Sequence, residues 1–229
     1  MKPLVLLPGW GFDARIWQGL LAALPAADGE IDVLHASPTR CPPADLPEAC
    51  VLCGWSLGAL VALDWARQSP GRCAGLVLIA ATPRFTQAED WPYGLPAEAL
   101  TDFRQSLSDD APGLQRRFAA LIASGDERRK ELLLRLPELF AFHATASADL
   151  FAGLDLLARL DLRPAVGALD TPTLLLHGEH DALMPLAAAR WLAGHLPQAR
   201  LEVLPGCGHA PLLSRPADCA AALIDLLHD

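Results

Sequence analysis

No apolar run in this chain is long enough to cross a bilayer or to act as a secretion signal. The N-terminal stretch Pro3 to Leu7 follows one lysine and ends at once in Pro8-Gly9. Cytoplasmic residence and no membrane contact are therefore expected. Aromatic residues are scarce, 6 % against a hydrophobic share of 52 %, so the apolar bulk is Leu and Ala, a composition that suits helices packed on a buried sheet. Positive charge is also short: 18 Lys and Arg face 27 Asp and Glu, a formal net charge of −9. Such a surface repels a phosphate backbone and lacks the footprint of a nucleic-acid binder. With no repeat, low-complexity tract, long charge run or Pro/Gly-rich linker, the 229 residues read as one compact body. Cys50 and Cys53 have C-x-x-C spacing but no second ligand pair, and in their apolar setting they read as buried, reduced thiols.

What is present is an alternation of short apolar runs with helical patterns. Candidate strands are Leu4–Leu7, Ile31–His35, Val51–Gly54, Gly75–Ala80, Thr173–Leu176 and Leu201–Leu204. Between them Ile16–Ala23, Leu57–Arg67 and Leu186–Leu196 carry apolar residues at helical spacing, and Ala217–Leu227 forms a last helix. Successive β-α-β units predict an α/β fold with a mainly parallel sheet of about six strands. Residues 84–168 break the rhythm: they hold no convincing strand and several amphipathic patterns, among them Pro96–Leu107, Gly113–Ser124 and Glu127–Leu136. They are expected to form a helical lid inserted in a core made of residues 1–83 and 169–229.

Gly54-Trp55-Ser56-Leu57-Gly58 is a G-x-S-x-G set between an apolar strand and an apolar-periodic helix. That context is the one a nucleophile elbow needs, because the serine must stand on a sharp strand-to-helix turn with little bulk on either side. Its alternative, a plain glycine-rich βα turn, needs no serine. A serine hydroxyl requires a histidine to take its proton and an acid to hold that histidine. Asp181 follows one strand in the loop His177-Gly178-Glu179-His180-Asp181, with Glu179 as its competitor, and His209 follows the next in Pro205-Gly206-Cys207-Gly208-His209. Ser56, Asp181 and His209 thus fall in the order required by the α/β-hydrolase fold, each after a strand end. His177 and His180 also invite a metal reading, but no third ligand has suitable spacing, so neither metal nor cofactor is expected. The oxyanion needs two N–H donors, for which Leu57 and Trp10, the latter in Pro8-Gly9-Trp10-Gly11, are the candidates.

These residues resemble the pimeloyl-acyl-carrier-protein methyl ester carboxylesterases of biotin synthesis over nearly the whole chain. Beyond the triad motifs, the resemblance rests on Gly9-Trp10-Gly11 with Trp17, on the elbow, and on Pro83-Arg84-Phe85 through Asp90-Trp91-Pro92. It continues in Phe103, Gln105 to Asp110, Arg117-Phe118 and Asp161-Leu162-Arg163. The resemblance implies release of methanol from pimeloyl-acyl carrier protein methyl ester by Ser56, Asp181 and His209, with Trp10 and Leu57 on the oxyanion. It further implies an acyl channel lined by Phe118, Ala119, Ala120, Leu121 and Ile122, although Phe118 reads equally as lid core. Arg116, Arg117, Arg128, Arg129, Lys130 and Arg135 reverse the local charge and suit docking of an acidic carrier protein, or else form a solvated helix face. A monomer is expected.

Two departures stand out. Pro8 occupies the place where the family has His, so the side-chain support of the oxyanion loop must differ. Two leading antiparallel strands are absent, so either the sheet is trimmed or the start lies upstream. Other readings are a small-ester, lactone or carbon–carbon hydrolase on the same fold, and a non-catalytic receptor. A haloalkane dehalogenase would need a carboxylate at position 56.

Overall fold

The computed structural model describes residues 2–24, 31–40, 46–143, 145 and 147–228. Residues 25–30 and 41–45 of the expected core, and 144 and 146 of the expected lid, lie outside them. In chain order the first half runs β1 (Leu4–Leu7), α1 (Gln18–Ala23), β2 (Val33–His35), β3 (Cys50–Trp55), α2 (Leu57–Gln68) and β4 (Cys73–Ile79). Four helices follow: α3 (Ala97–Asp109), α4 (Ala111–Ile122), α5 (Arg129–Leu139) and α6 (Ser147–Arg159). The second half returns to alternation with β5 (Thr173–Gly178), α7 (Leu186–His195), β6 (Ala199–Leu204), α8 (Pro211–Ser214) and α9 (Pro216–His228).

The strands form one six-stranded sheet in the order β2-β1-β3-β4-β5-β6, and every neighbouring pair is parallel. This is the α/β arrangement with a parallel sheet of about six strands expected from the alternation. Central strands are covered on both faces, so β1 and β3 read as unbroken apolar runs, β5 carries Leu174 to Leu176, and all three are buried throughout. Each Leu or Val fully buried there contributes on the order of 1.5–3 kcal/mol. At the edge β2 is short and half-exposed. Ile31 and Asp32, expected within it, stay outside, and the Asp32 carbonyl instead accepts the Leu4 N–H at 2.8 Å. The chain leaves β1 to one side for β2 and to the other for β3, which makes the crevice between the ends of β1 and β3 the topological switch point of the sheet.

The helices α3 to α6 stand between β4 and β5, and the two ends of this insertion are tied together. Asp161 accepts Arg84 Nη1 at 2.7 Å and Arg163 Nη2 at 2.6 Å, while the Leu162 N–H donates to the Pro83 carbonyl at 2.9 Å. The Arg163 guanidinium, with Arg84 behind it, holds the Asp161 carboxyl well below the usual carboxylate range despite its partial burial. Two helices depart from expectation. The sequence pattern did not single out α6, and α5 continues past Leu136 through Pro137 to Leu139. Pro137 cannot donate to the Leu133 carbonyl, but the last turn still closes, the Phe140 N–H bonding the Leu136 carbonyl at 3.1 Å. Among the described residues no helix is long and apolar enough to cross a membrane.

Candidate active site

Ser56 sits between β3 and α2 with φ +57° and ψ −119°, a left-handed backbone that costs a non-glycine residue about 1–3 kcal/mol. Surrounding structure holds it there. Its N–H donates to the Ile79 carbonyl at 3.0 Å, and its carbonyl accepts the Ala59 N–H at 3.0 Å. The flanking glycines permit the close approach: a Cβ on Gly54 would lie 2.3 Å from the Gly58 carbonyl oxygen, and one on Gly58 would lie 2.0 Å from that of Leu7. The turn therefore projects the hydroxyl beyond the sheet while the N-terminus of α2 opens directly behind it.

His209 reaches that hydroxyl from the loop after β6, its Nε2 2.9 Å from Ser56 Oγ. On the opposite side of the ring, Nδ1 lies 2.8 and 2.9 Å from the two oxygens of Asp181. Only a tautomer with hydrogen on Nδ1 satisfies both contacts, leaving Nε2 free to accept the serine proton. Asp181 follows β5 and is fixed in turn by the Leu183 and Met184 N–H groups, at 2.9 and 2.8 Å from Oδ1. Burial pushes its carboxyl up, but the His209 imidazole, His177 and the backbone donors outweigh that and hold it below its ordinary value. Glu179, the competitor, is exposed and instead faces His180 and the Gly206 N–H. Such a chain can move a proton from a serine hydroxyl to an imidazole and stabilise the imidazolium that forms.

His177 lies wholly buried behind Asp181, 3.5 Å from its Oδ2, and donates from Nε2 to the Met184 carbonyl at 2.7 Å. Burial keeps it neutral by lowering its pKa. His180 is exposed and points elsewhere, so the two do not converge. Among the described residues no group of three or more His, Cys, Asp or Glu could hold a metal ion. Cys50 and Cys53 are free and buried, and burial pushes both thiols up.

The loop after β1 is packed against the elbow, where a Cβ on Gly9 would meet the Trp55 ring at 2.8 Å. With proline at position 8, support for this loop comes from Trp10 itself. Its indole N–H donates to the Leu150 carbonyl at 2.8 Å, and its ring meets Phe118 and Phe142 edge-on at 5.3 and 5.0 Å. Among the described residues neither the Trp10 nor the Leu57 backbone N–H donates a hydrogen bond. Both remain available to a developing oxyanion.

Over Ser56 lies a narrow apolar cavity of about 20 Å³, bounded by Trp10, His209 and the aromatic rings of Phe85, Phe103 and Phe118, with Leu100, Leu157 and Leu183. Of the five residues expected to line an acyl channel, Phe118 alone faces it. On the helical period Ala119 and Ile122 turn inward beneath α4, Ala120 is half-buried and Leu121 is exposed. The remaining wall comes from the segment after β4, α3, α6 and the loop after β5; Phe85 and Phe103 were legible there through the family resemblance, and only tertiary docking reveals the inward faces of the leucines.

The basic residues separate into two groups. Arg116, Arg129 and Lys130 are exposed. Arg117 is exposed too and donates to Ser106 Oγ at 2.6 Å. Arg128 pairs with Glu131 and donates to the Ser214 carbonyl at 2.7 Å, and Arg135 donates to the Leu213 carbonyl at 3.3 Å. These two guanidinium groups are thus engaged at the end of α8, although both residues are exposed, whereas the other four of the expected docking residues make no such contact there. Short α8 leaves carbonyls at its end that need donors.

A family model described as the alpha/beta hydrolase fold matches residues 46–216. Among curated proteins, the chain is 43 % identical to a pimeloyl-[acyl-carrier protein] methyl ester esterase of Aromatoleum aromaticum, over 98 % of this chain and 97 % of the relative. An esterase of the same name from Nitrosomonas europaea is 37 % identical over 93 % of this chain and 90 % of its own. Among solved structures, a bromoperoxidase from Bacillus anthracis superposes with a TM-score of 0.86 at 19 % identity, covering 100 % of this chain and 92 % of that one. At that identity the likeness speaks for the fold.

Proposed function

The chain belongs to the pimeloyl-[acyl-carrier protein] methyl ester esterases of the α/β-hydrolase family, and from that premise we propose that Ser56, His209 and Asp181 cleave the methyl ester of a pimeloyl chain borne by acyl carrier protein. The observation that carries the roles is the unbroken hydrogen-bonded path from Ser56 Oγ through His209 to Asp181. In the first half-reaction Ser56 Oγ attacks the ester carbonyl as His209 Nε2 takes its proton. The tetrahedral oxyanion is held by the N–H groups of Trp10 and Leu57, each such donor supplying roughly 3 kcal/mol of transition-state stabilisation. Collapse expels the methoxy group, which leaves as methanol with the proton from His209. Water then repeats the sequence on the acyl-enzyme, releasing the free carboxylate and restoring Ser56.

The rings over Ser56 suit a methylene chain. A cavity of about 20 Å³ has room for little more than one water, so the aromatic side chains of α3 and α4 move to admit substrate. Residues 84–168 serve as the lid, and the exposed Arg116, Arg117, Arg129 and Lys130 steer an acidic carrier protein towards it. No step requires a cofactor. The test is methanol release from pimeloyl-acyl carrier protein methyl ester by the wild type and by Ser56→Ala, with a short p-nitrophenyl ester as control. Turnover of both esters that disappears in Ser56→Ala is expected. If the wild type cleaves the short ester alone, the triad stands and the carrier-protein substrate is wrong.

A further inference from the structure

The loop that carries His209 is held from above by the insertion. The His209 N–H donates to the Ile122 carbonyl at 3.3 Å, the Gly208 N–H to Asp126 Oδ2 at 2.9 Å, and the Glu127 N–H to the Gly206 carbonyl at 2.8 Å. Asp126 is the one side chain in this set, and it is buried, with 6 % of its surface exposed. Its second oxygen, Oδ1, accepts the Arg128 N–H at 2.8 Å just before α5. One carboxylate therefore joins the start of α5 to the peptide immediately before His209. The contact is tight: a Cβ on Gly208 would stand 2.7 Å from the Ser124 carbonyl oxygen and 3.3 Å from Asp126 Cβ. Only glycine lets the two loops approach this closely.

We infer that Asp126 is a positioning residue for His209, fixing through the Gly208 N–H the backbone from which the imidazole reaches Ser56. The inference rests on the reading of His209 as the general base. The imidazole bridges Ser56 at 2.9 Å and Asp181 at 2.8 Å, and both bonds depend on where its backbone stands. Below it the His209 carbonyl accepts the Trp55 indole N–H at 2.8 Å, and above it the insertion supplies the contacts just described. Without the Asp126 carboxylate the Gly208 N–H loses its partner in a buried setting, and the peptide is free to turn in search of another. A displacement of about 1 Å in a catalytic group can cost roughly a hundredfold in rate.

Two variants separate this role from simply closing the turn before α5. Asp126→Ser keeps an acceptor for the Arg128 N–H but is too short to reach Gly208. Asp126→Asn keeps the size but can turn its oxygen to only one of the two N–H groups. With a short p-nitrophenyl ester, both variants are expected to lose about 10- to 100-fold in kcat, with KM within about twofold. Labelling of Ser56 by a fluorophosphonate should slow by the same factor, counted per folded molecule so that lost stability does not enter. Unchanged kcat and labelling in Asp126→Ser would overturn the inference and leave Asp126 as a residue that only closes the turn before α5. His209→Ala is the control: if it keeps wild-type activity, the reading of His209 itself falls instead.

Discussion

Gly153 of α6 lies so close to the loop after β1 that a Cβ there would stand 2.6 Å from Trp10 Cδ1 and 3.2 Å from Leu57 Cδ2. The helix thus rests on both residues proposed to bind the oxyanion, and it holds Trp10 a second time through the Leu150 carbonyl. Gly153→Val is expected to push the indole aside and carry the Trp10 N–H out of line. The loss in kcat should approach the roughly 10²-fold cost of one missing oxyanion donor. Because the change meets only the first residue of α2 and none of the sheet, the far-UV spectrum should stay native. Wild-type kcat in a folded variant would show that Trp10 does not depend on this contact.

The sheet and the three residues of the hydrogen-bonded path, Ser56, His209 and Asp181, were legible in the sequence because their signals are local. An unbroken apolar run ending in Gly-x-Ser-x-Gly specifies a buried strand, a strained turn and a helix at once, while Asp181 follows the apolar run Leu174 to Leu176 and His209 follows the mixed strand Ala199–Leu204. Less could be read from the insertion. Which faces of α3, α4 and α6 meet the core depends on how the helices dock, so Leu100 and Leu157 carried no mark of their place over Ser56. The backbone partners of Arg128 and Arg135 were hidden for a similar reason. A cation on a helix suggests solvent, and nothing local reveals the unpaired carbonyls of Leu213 and Ser214 some eighty residues further on.

Replacing Asp181 by Asn should leave the cavity filled yet stop the reaction. The amide can keep an oxygen towards the Leu183 and Met184 N–H groups only by turning its NH₂ to His209, which then holds the wrong tautomer. A fall in kcat of about 10⁴-fold is expected, with the fold retained. Acid stability should change as well. The native carboxyl is held below its unfolded value of 3.8, so it stabilises the fold above that pH, and this contribution is lost as pH falls through the lower native value. Urea unfolding of Asp181→Asn should therefore have a weaker pH dependence than wild type below about pH 4. Equal slopes would place the linkage on other carboxylates.

His177 makes a separate prediction at milder pH. It is buried and neutral, with its pKa lowered from 6.5, and among the described residues its Nδ1 has no hydrogen-bond partner. The unfolded chain takes up a proton below that value while the folded chain does not. Stability should therefore be complete above about pH 6.5 and decline as pH falls towards the native pKa, by at most about 1.4 kcal/mol per pH unit for one proton. His177→Gln, which cannot titrate, should flatten the dependence between pH 7 and 5 in urea melts. An unaltered slope would mean that another group takes up the proton.

The division of the basic residues gives the sharpest separation of docking from folding. Arg116, Arg129 and Lys130 are exposed, so reversing them to Glu should raise KM for the carrier-protein ester and leave a short ester untouched. The effect should shrink as salt screens the approach, since the Debye length falls to about 8 Å at physiological ionic strength. Arg128→Ala and Arg135→Ala should act differently. Each removes a donor from the Ser214 or Leu213 carbonyl just beyond His209. Each should lower the melting temperature by about 2–4 °C for each kcal/mol lost and should slow both esters alike. Measuring kcat and KM for both substrates at low and high salt distinguishes the two groups. Equal effects of all five substitutions on the carrier-protein ester alone would return Arg128 and Arg135 to the docking surface.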